Sequence, residues 1–188
     1  MIRMVYISKG VLYRISDVSN IQVSRCGEKH ILNGIHAKLW LAGRCSSCAR
    51  NGIQETALKK LEFMGLAETT EPSDAAHYRL LTNCVICKAN PVAFHLPLNR
   101  NEKLIWEWIK NAGFKLTISE LVYLAEKKIA PSPEFFGENN WHTLIHAIYT
   151  QETIFDRILD AKMEESPARN NVVSAVLGLL RKKRIILI

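Results

Sequence analysis

From Val5 to Ile15 the chain alternates loosely between apolar and polar positions and is rich in Val, Ile, Leu and Tyr, the period and composition of a β-strand. Ile21 to Leu32 supplies a second such run, and the two predict an opening hairpin. After Asn33 the period lengthens. Ile35, Leu39 and Trp40 fall at helical spacing within Gly34 to Ala42, with Asn33 placed to cap the start and Gly43 to end it. A short element, Ser46 to Arg50, leads to the turn signal Asn51-Gly52. Ile53 to Leu66 then repeats apolar residues at Ala57, Leu58, Leu61 and Met64, stopped by Gly65. Ala67 to Thr70, the turn Glu71-Pro72-Ser73-Asp74 and His77 to Ile86 read as another hairpin. The predicted order is an opening hairpin, three helices and a second hairpin.

Lys88 to Asn101 has little periodicity and holds Pro91, Pro97 and three Asn, which places a domain boundary near Pro97 and divides the chain into residues 1–97 and 98–188. Beyond it the pattern is helical. Glu102 to Ala112 is amphipathic through Leu104, Ile105, Trp108 and Ile109. Thr117-Ile118-Ser119-Glu120 is a capping box, in which the Thr hydroxyl accepts a backbone N–H and the Glu reaches back to the cap. The helix it opens runs to about Lys128. Pro131 and Pro133 break the pattern, Asn139 and Asn140 can cap Trp141 to Tyr149, and Glu152 to Met163 gives a further helix. Ser166-Pro167 opens a last helix to about Arg184, and Ile185 to Ile188 is a terminal strand. The fold class expected is mainly α with small β-hairpins, an α+β protein.

Charge narrows the function classes. The net charge is +7 over 188 residues; residues 1–97 carry 12 Lys+Arg against 7 Asp+Glu, residues 98–188 carry 13 against 11. From Ser166 to Ile188 there are five cations, Arg169 and Arg181 to Arg184, and no acid. A basic balance suits a polyanion through phosphate contacts and counterion release. Met1 to Ser16 interleaves Arg3, Lys9 and Arg14 with apolar positions, unlike a secretory signal, so a cytoplasmic location is expected. Val172 to Leu180, the longest mostly apolar stretch, is far shorter than the ~20 residues of a membrane span, so no membrane partner is expected.

Cys45-Ser46-Ser47-Cys48-Ala49-Arg50-Asn51-Gly52-Ile53, followed by Leu58, Leu61, Gly65 and Leu66, resembles a winged-helix DNA-binding domain. The resemblance spans roughly Ile31 to Ile86. It implies a short helix, a turn, a recognition helix for the major groove, and a two-stranded wing at Ala67 to Leu81. Asn33 to Gly43 also looks like the entry to a winged-helix-like peptide-chaperone domain, which holds its peptide by strand addition. The second half resembles a winged helix only from Ala168 to Ile188.

On the helix after Asn51, Gln54, Glu55, Thr56, Lys59 and Lys60 are expected on the outer face; Gln54, Thr56, Lys59 and Lys60 are candidate DNA contacts, while Glu55 and Glu62 would repel phosphate. On the last helix Val172, Val173, Val176, Leu177 and Leu180 make the buried face and leave Arg169, Asn170, Asn171 and Ser174 toward solvent. Arg and Asn can bond guanine and adenine edges in pairs. The plainer reading is a solvated helix start with Asn caps. Arg181 to Arg184 reads as a solvated basic end.

Cys45-x-x-Cys48 and Cys84-x-x-Cys87 could together hold Zn²⁺ through four thiolates. Against this, 35 residues separate the pairs and Val85-Ile86 favours a strand, where residues three apart point to opposite faces. Core thiols are the alternative, and Cys26 is an unpaired extra. His142 and His146 share a helix face, but no Glu follows His142 as a zinc hydrolase helix requires. Nothing nominates a nucleophile or a general base, so no enzyme is expected. The expectation is a DNA-binding transcriptional regulator of winged-helix type, metal- or redox-responsive if the thiols hold a metal, with the second half adding a DNA contact or a homodimer surface. The alternative is a non-enzymatic peptide or protein adaptor using a hairpin edge.

Overall fold

The computed structural model describes residues 4–49, 51–90, 96–112, 115–136, 141–149 and 156–188. It is an α+β protein in two compact units, Met1–Cys84 with Ile186–Ile188, and Val85–Ile185. The first unit thus closes at Cys84, before the boundary expected near Pro97.

In the first unit the expected opening hairpin is four strands. β1 (Val5–Ser8) is the centre of one antiparallel sheet, between β5 (Ser47–Cys48) and β6 (Ala67–Thr70). β2 (Val11–Asp17), β3 (Asn20–Arg25) and β4 (Glu28–Asn33) form a separate meander. The break lies at Lys9-Gly10. Gly10 has φ +98°, and a Cβ there would sit 2.9 Å from the Ser24 carbonyl oxygen, so only glycine lets the chain turn from one sheet into the other. Lys9 is buried and pairs with Glu68, while its carbonyl accepts the Trp40 indole N–H at 2.9 Å.

α1 (Gly34–Ala42) follows Asn33 as expected, although the Asn33 side chain makes no capping bond. The helix buries Ala37, Leu39 and Trp40. The expected helix over Ser46 to Arg50 is instead a short 3-10 turn, Gly43–Cys45, and strand β5, drawn into the sheet by pairing with β1. α2 (Gly52–Phe63) begins on Asn51, whose side chain accepts the Gln54 N–H. It ends before Gly65 (φ +68°), where a Cβ would collide with the Arg25 guanidinium. The second hairpin is corrected. β6 pairs with β1, and His77 to Ile86 begins as α3 (Ala76–Thr82), which buries Ala76, Tyr78, Leu80 and Leu81. Tyr6, Ile21, Val23, Leu32, Trp40 and Leu58 belong to one core cluster with Leu61 and Leu66.

In the second unit, β7 (Ile86–Lys88) precedes α4 (Arg100–Asn111). α4 starts earlier than the periodicity suggested, because Asn99 and Glu102 make a reciprocal capping box. α5 (Ile118–Glu126) opens on the expected Thr117/Glu120 box, with Thr117 N–H donated to Glu120 Oε2 at 2.7 Å. Trp108 of α4 meets the rings of Phe135 and Phe136 at centroid distances of 5.7 and 5.4 Å. α6 (Trp141–Ile148) and α7 (Asp156–Glu164) come next; their expected starts at Asn139-Asn140 and Glu152 lie outside the described residues. α8 (Arg169–Arg181) starts after Ser166-Pro167 and stops short of Arg184. The Ser166 hydroxyl accepts the Ala168 N–H within the preceding turn instead of capping the helix.

The terminal strand is present as β8 (Ile185–Leu187), and the division between the units falls inside it. Among the described residues no helix is long and apolar enough to cross a membrane.

Removing one member of a buried ion pair leaves the other charge uncompensated, whereas replacing both with apolar side chains does not. Lys9→Met should therefore destabilise the chain by about 3 kcal/mol, and Lys9→Met with Glu68→Leu by about 1 kcal/mol or less, read from urea midpoints. Equal losses in the two variants would show that the pair contributes only through its packing.

Candidate nucleic-acid interface

α2 is a two-faced helix. Ala57, Leu58 and Leu61 face the core, and α1 packs against it. The opposite face carries Thr56, Lys59 and Lys60, all exposed. Neither lysine makes an ion pair among the described residues. The Thr56 hydroxyl donates to the Gly52 carbonyl at 2.9 Å. The helix also exposes two apolar side chains not among the expected contacts, Ile53 at 73% exposure and Phe63 at 93%. For Phe63 the signal was available, since it lies off the Ala57-Leu58-Leu61 row, whereas Ile53, four residues before Ala57, continues that row into the exposed first turn.

Two expected members of the face are placed differently. Gln54 is half-buried and turned toward α1, where it lines a cavity of about 580 Å³ with Tyr6, Ile35, Lys38, Leu39 and Cys48. In the first turn of a helix a residue one position past Ile53 lies a quarter turn away, on the α1 side. Glu62, expected to repel phosphate, accepts a hydrogen bond from the Thr69 hydroxyl at 2.8 Å and is tied to β6. Glu55 is half-buried.

In the second unit α8 buries Val172, Val173, Val176 and Leu177, leaving Asn170, Asn171 and Ser174 exposed on one face, as expected. Arg169 departs from the expectation. It is half-buried, its Nη1 donates to the Glu164 carbonyl at 2.6 Å and its Nε to Asn170 Oδ1 at 3.1 Å. The side chain braces the α7–α8 turn. The basic end divides in the same way: Arg181 and Lys183 are exposed, Lys182 pairs with buried Glu102, and Arg184 lies 5.6 Å over the Trp106 ring.

The cysteines sit in unlike surroundings. Cys45 ends the 3-10 turn half-buried, Cys48 is exposed on β5, Cys87 is half-buried on β7 and Cys26 is exposed. Cys84 is 2% exposed and its thiol donates to the Leu80 carbonyl at 3.2 Å. Burial pushes its pKa up to about 12 against the pull of Lys9, so it is a protonated core thiol. Among the described residues no three of His, Cys, Asp and Glu gather as a metal site. His142 and His146 are both exposed on α6.

One cluster has no counterpart among the sequence motifs. Tyr149 Oη lies 2.9 Å from Glu120 Oε1 and 2.8 Å from Asp156 Oδ1, while the Ser119 hydroxyl bonds Asp160. A phenol has one proton to give, so two carboxyls can both be bonded to it well only if one of them is protonated. Glu120 fits that role. Burial raises its pKa against the Thr117 N–H and Tyr149 bonds, and burial raises Asp160 as well. The cluster ties α5 to α7 and has no cleft of its own among the described cavities.

Comparison with known proteins finds no family model, no curated protein and no solved structure that matches the chain.

A carboxyl whose folded pKa is raised binds protons more tightly when folded, so its contribution is full at low pH and is lost as pH rises through the raised value. Melting temperature should accordingly fall as pH climbs above the ordinary Glu value of 4.5. Glu120→Gln, which keeps the capping acceptor and a neutral partner for Tyr149, should flatten that fall and melt higher than the parent at neutral pH. Parallel curves for parent and variant would mean that Glu120 is ionised in the fold.

Proposed function

We propose that the chain is a non-enzymatic DNA-binding regulator in which α2 presents Thr56, Lys59 and Lys60 to a duplex without the wing expected over Ala67 to Leu81, where β6 pairs with β1 and α3 follows. The observation that carries the reading is the pair of uncommitted lysines on the outward face of a helix braced from behind by α1. Lysines at that position serve phosphates, which fix register and orientation, while a Thr methyl and the apolar Ile53 and Phe63 suit thymine methyls and sugar edges. Glu62, three residues from Lys59, accepts the Thr69 hydroxyl and stays exposed.

Asn170, Asn171 and Ser174 give α8 a second candidate surface, with Asn side chains suited to adenine. Arg169 is left out of the contact set, because its guanidinium is already used on Glu164 and Asn170. The alternative, a peptide or protein adaptor working through a hairpin edge, would use the outer edge of β2.

Fluorescence anisotropy with a labelled random-sequence duplex, repeated over a salt series, tests the reading. Lys59→Ala with Lys60→Ala should weaken binding about tenfold near 0.1 M salt and lower the log–log salt slope by about 2, one for each phosphate no longer neutralised. The variant should melt like the parent, since both side chains are exposed. Arg169→Ala should act in the opposite sense, costing about 1 kcal/mol of stability through removal of the bond to Glu164 and leaving DNA affinity unchanged. A parent chain that ignores duplex even at about 20 mM salt, where phosphate contacts are strongest, would remove DNA as the partner and leave the adaptor.

A further inference from the structure

Among the described residues β2 pairs with β3 alone, in a meander that runs β2-β3-β4. An uncovered edge is a template for another strand, and here it is an apolar one. Val11, Tyr13 and Ile15 are 40%, 60% and 52% exposed, and Val18 in the adjoining turn is 66% exposed.

The register shows how the charges of this edge are set out. Through β3, Arg14 is in line with Gln22 and Ile31, and Asp17 with Asn20 and Asn33, the outward row of a sheet whose other face buries Ile21, Val23 and Leu32. Residues three apart on a regular strand point to opposite faces. The register shift between Ile15 and Asp17 removes that difference, so Arg14 and Asp17 stand on the same outward face. Lys29 Nζ lies 4.6 Å from the Tyr13 ring centroid and covers the ring from β4. Arg14 makes no ion pair among the described residues, and Asp17 spends one oxygen on the Ser19 N–H at 2.5 Å.

We propose that β2 is the seam of a homodimer, pairing antiparallel with β2 of a second copy so that Arg14 of each lies opposite Asp17 of the other. Arg14 at the middle of β2 and Asp17 at its end, on one face, are complementary to the same stretch reversed. That is the pattern a two-fold, isologous contact requires. In this register Arg14 to Asp17 of the two copies pair, with Ile15 opposite Ser16 and Tyr13 opposite Val18 of the adjoining turn, while Val11 lies beyond the paired stretch. A pairing centred on Arg14 would set two guanidiniums together, and like charges directly opposite are destabilising. A foreign strand has no need of this antisymmetry.

The test is sedimentation velocity of the full chain across a concentration series. The expected result is a monomer–dimer equilibrium in which Arg14→Asp, which sets two acids opposite each other at both ends of the seam, weakens association about tenfold or more. Arg14→Asp with Asp17→Arg, which restores the pairs with reversed sign, should return it to within about threefold of the parent. Circular dichroism confirms that each variant is folded, and β2 amides should exchange with solvent more slowly in the dimer. A chain that is monomeric at every concentration overturns the proposal and leaves the edge to a partner's strand. A dimer indifferent to Arg14→Asp, or not rescued by the swap, overturns it as well.

Discussion

An ammonium withdrawn almost entirely from water has to be matched inside the protein, and Lys9 arranges the first unit for that reason. Its Nζ bonds Glu68 on β6 and reaches the Asn83 carbonyl at the end of α3. Its N–H donates to the Leu66 carbonyl at the end of the α2 turn, and its own carbonyl receives the Trp40 indole from α1. One residue thus joins β1, β6, α1, α2 and α3. The ammonium binds β6 and the end of α3, and the backbone of the same residue binds α1 and the turn after α2.

The surfaces of the unit derive from that knot. β1 is held between β5 and β6, and the chain leaves it by the left-handed step at Gly10, so β2 starts a second sheet with no strand on its outer edge among the described residues. The Leu66 bond fixes where α2 ends, and Leu58 and Leu61 against Trp40 fix which face it buries. Thr56, Lys59 and Lys60 are outward because the core claims the other side. Edge and helix face are consequences of the same packing, which is why each can be offered to a partner without dismantling the other.

The features legible in the sequence are those decided within a few residues. The Thr117/Glu120 box is closed by neighbours in sequence, and the outward Lys59-Lys60 row comes from helical period alone. The break at Lys9-Gly10 depends on Glu68 and Asn83, far along the chain, so Val5 to Ile15 reads as one strand. α3 is misread for a different reason. Tyr78 and Leu80 alternate with His77 and Arg79 as in a strand, and only the burial of Ala76 and Leu81 completes a helical face. Gln54 belongs to a first turn whose orientation is set by α1, and the Glu120, Tyr149 and Asp156 cluster gathers three segments that no local pattern connects.

Net charge is a poor guide to where a polyanion would sit, and the acid-free end of this chain shows why. Of its five cations, Arg169 is bonded to a backbone carbonyl, Lys182 neutralises the buried Glu102 and Arg184 lies on Trp106. Burial pushes the Glu102 carboxyl up, yet Lys182 and the Asn99 N–H outweigh it and leave the pKa lowered, so the lysine is held by a full charge at neutral pH. Only Arg181 and Lys183 remain exposed. An ammonium committed to a buried carboxylate releases no counterion when a phosphate arrives, because it held none. The excess that can act on a duplex is therefore the part with no internal partner. On α2 that part is concentrated in two adjacent lysines, and on α8 it is replaced by neutral Asn and Ser. Affinity and base discrimination, if both helices meet DNA, would then rest on different units of the chain.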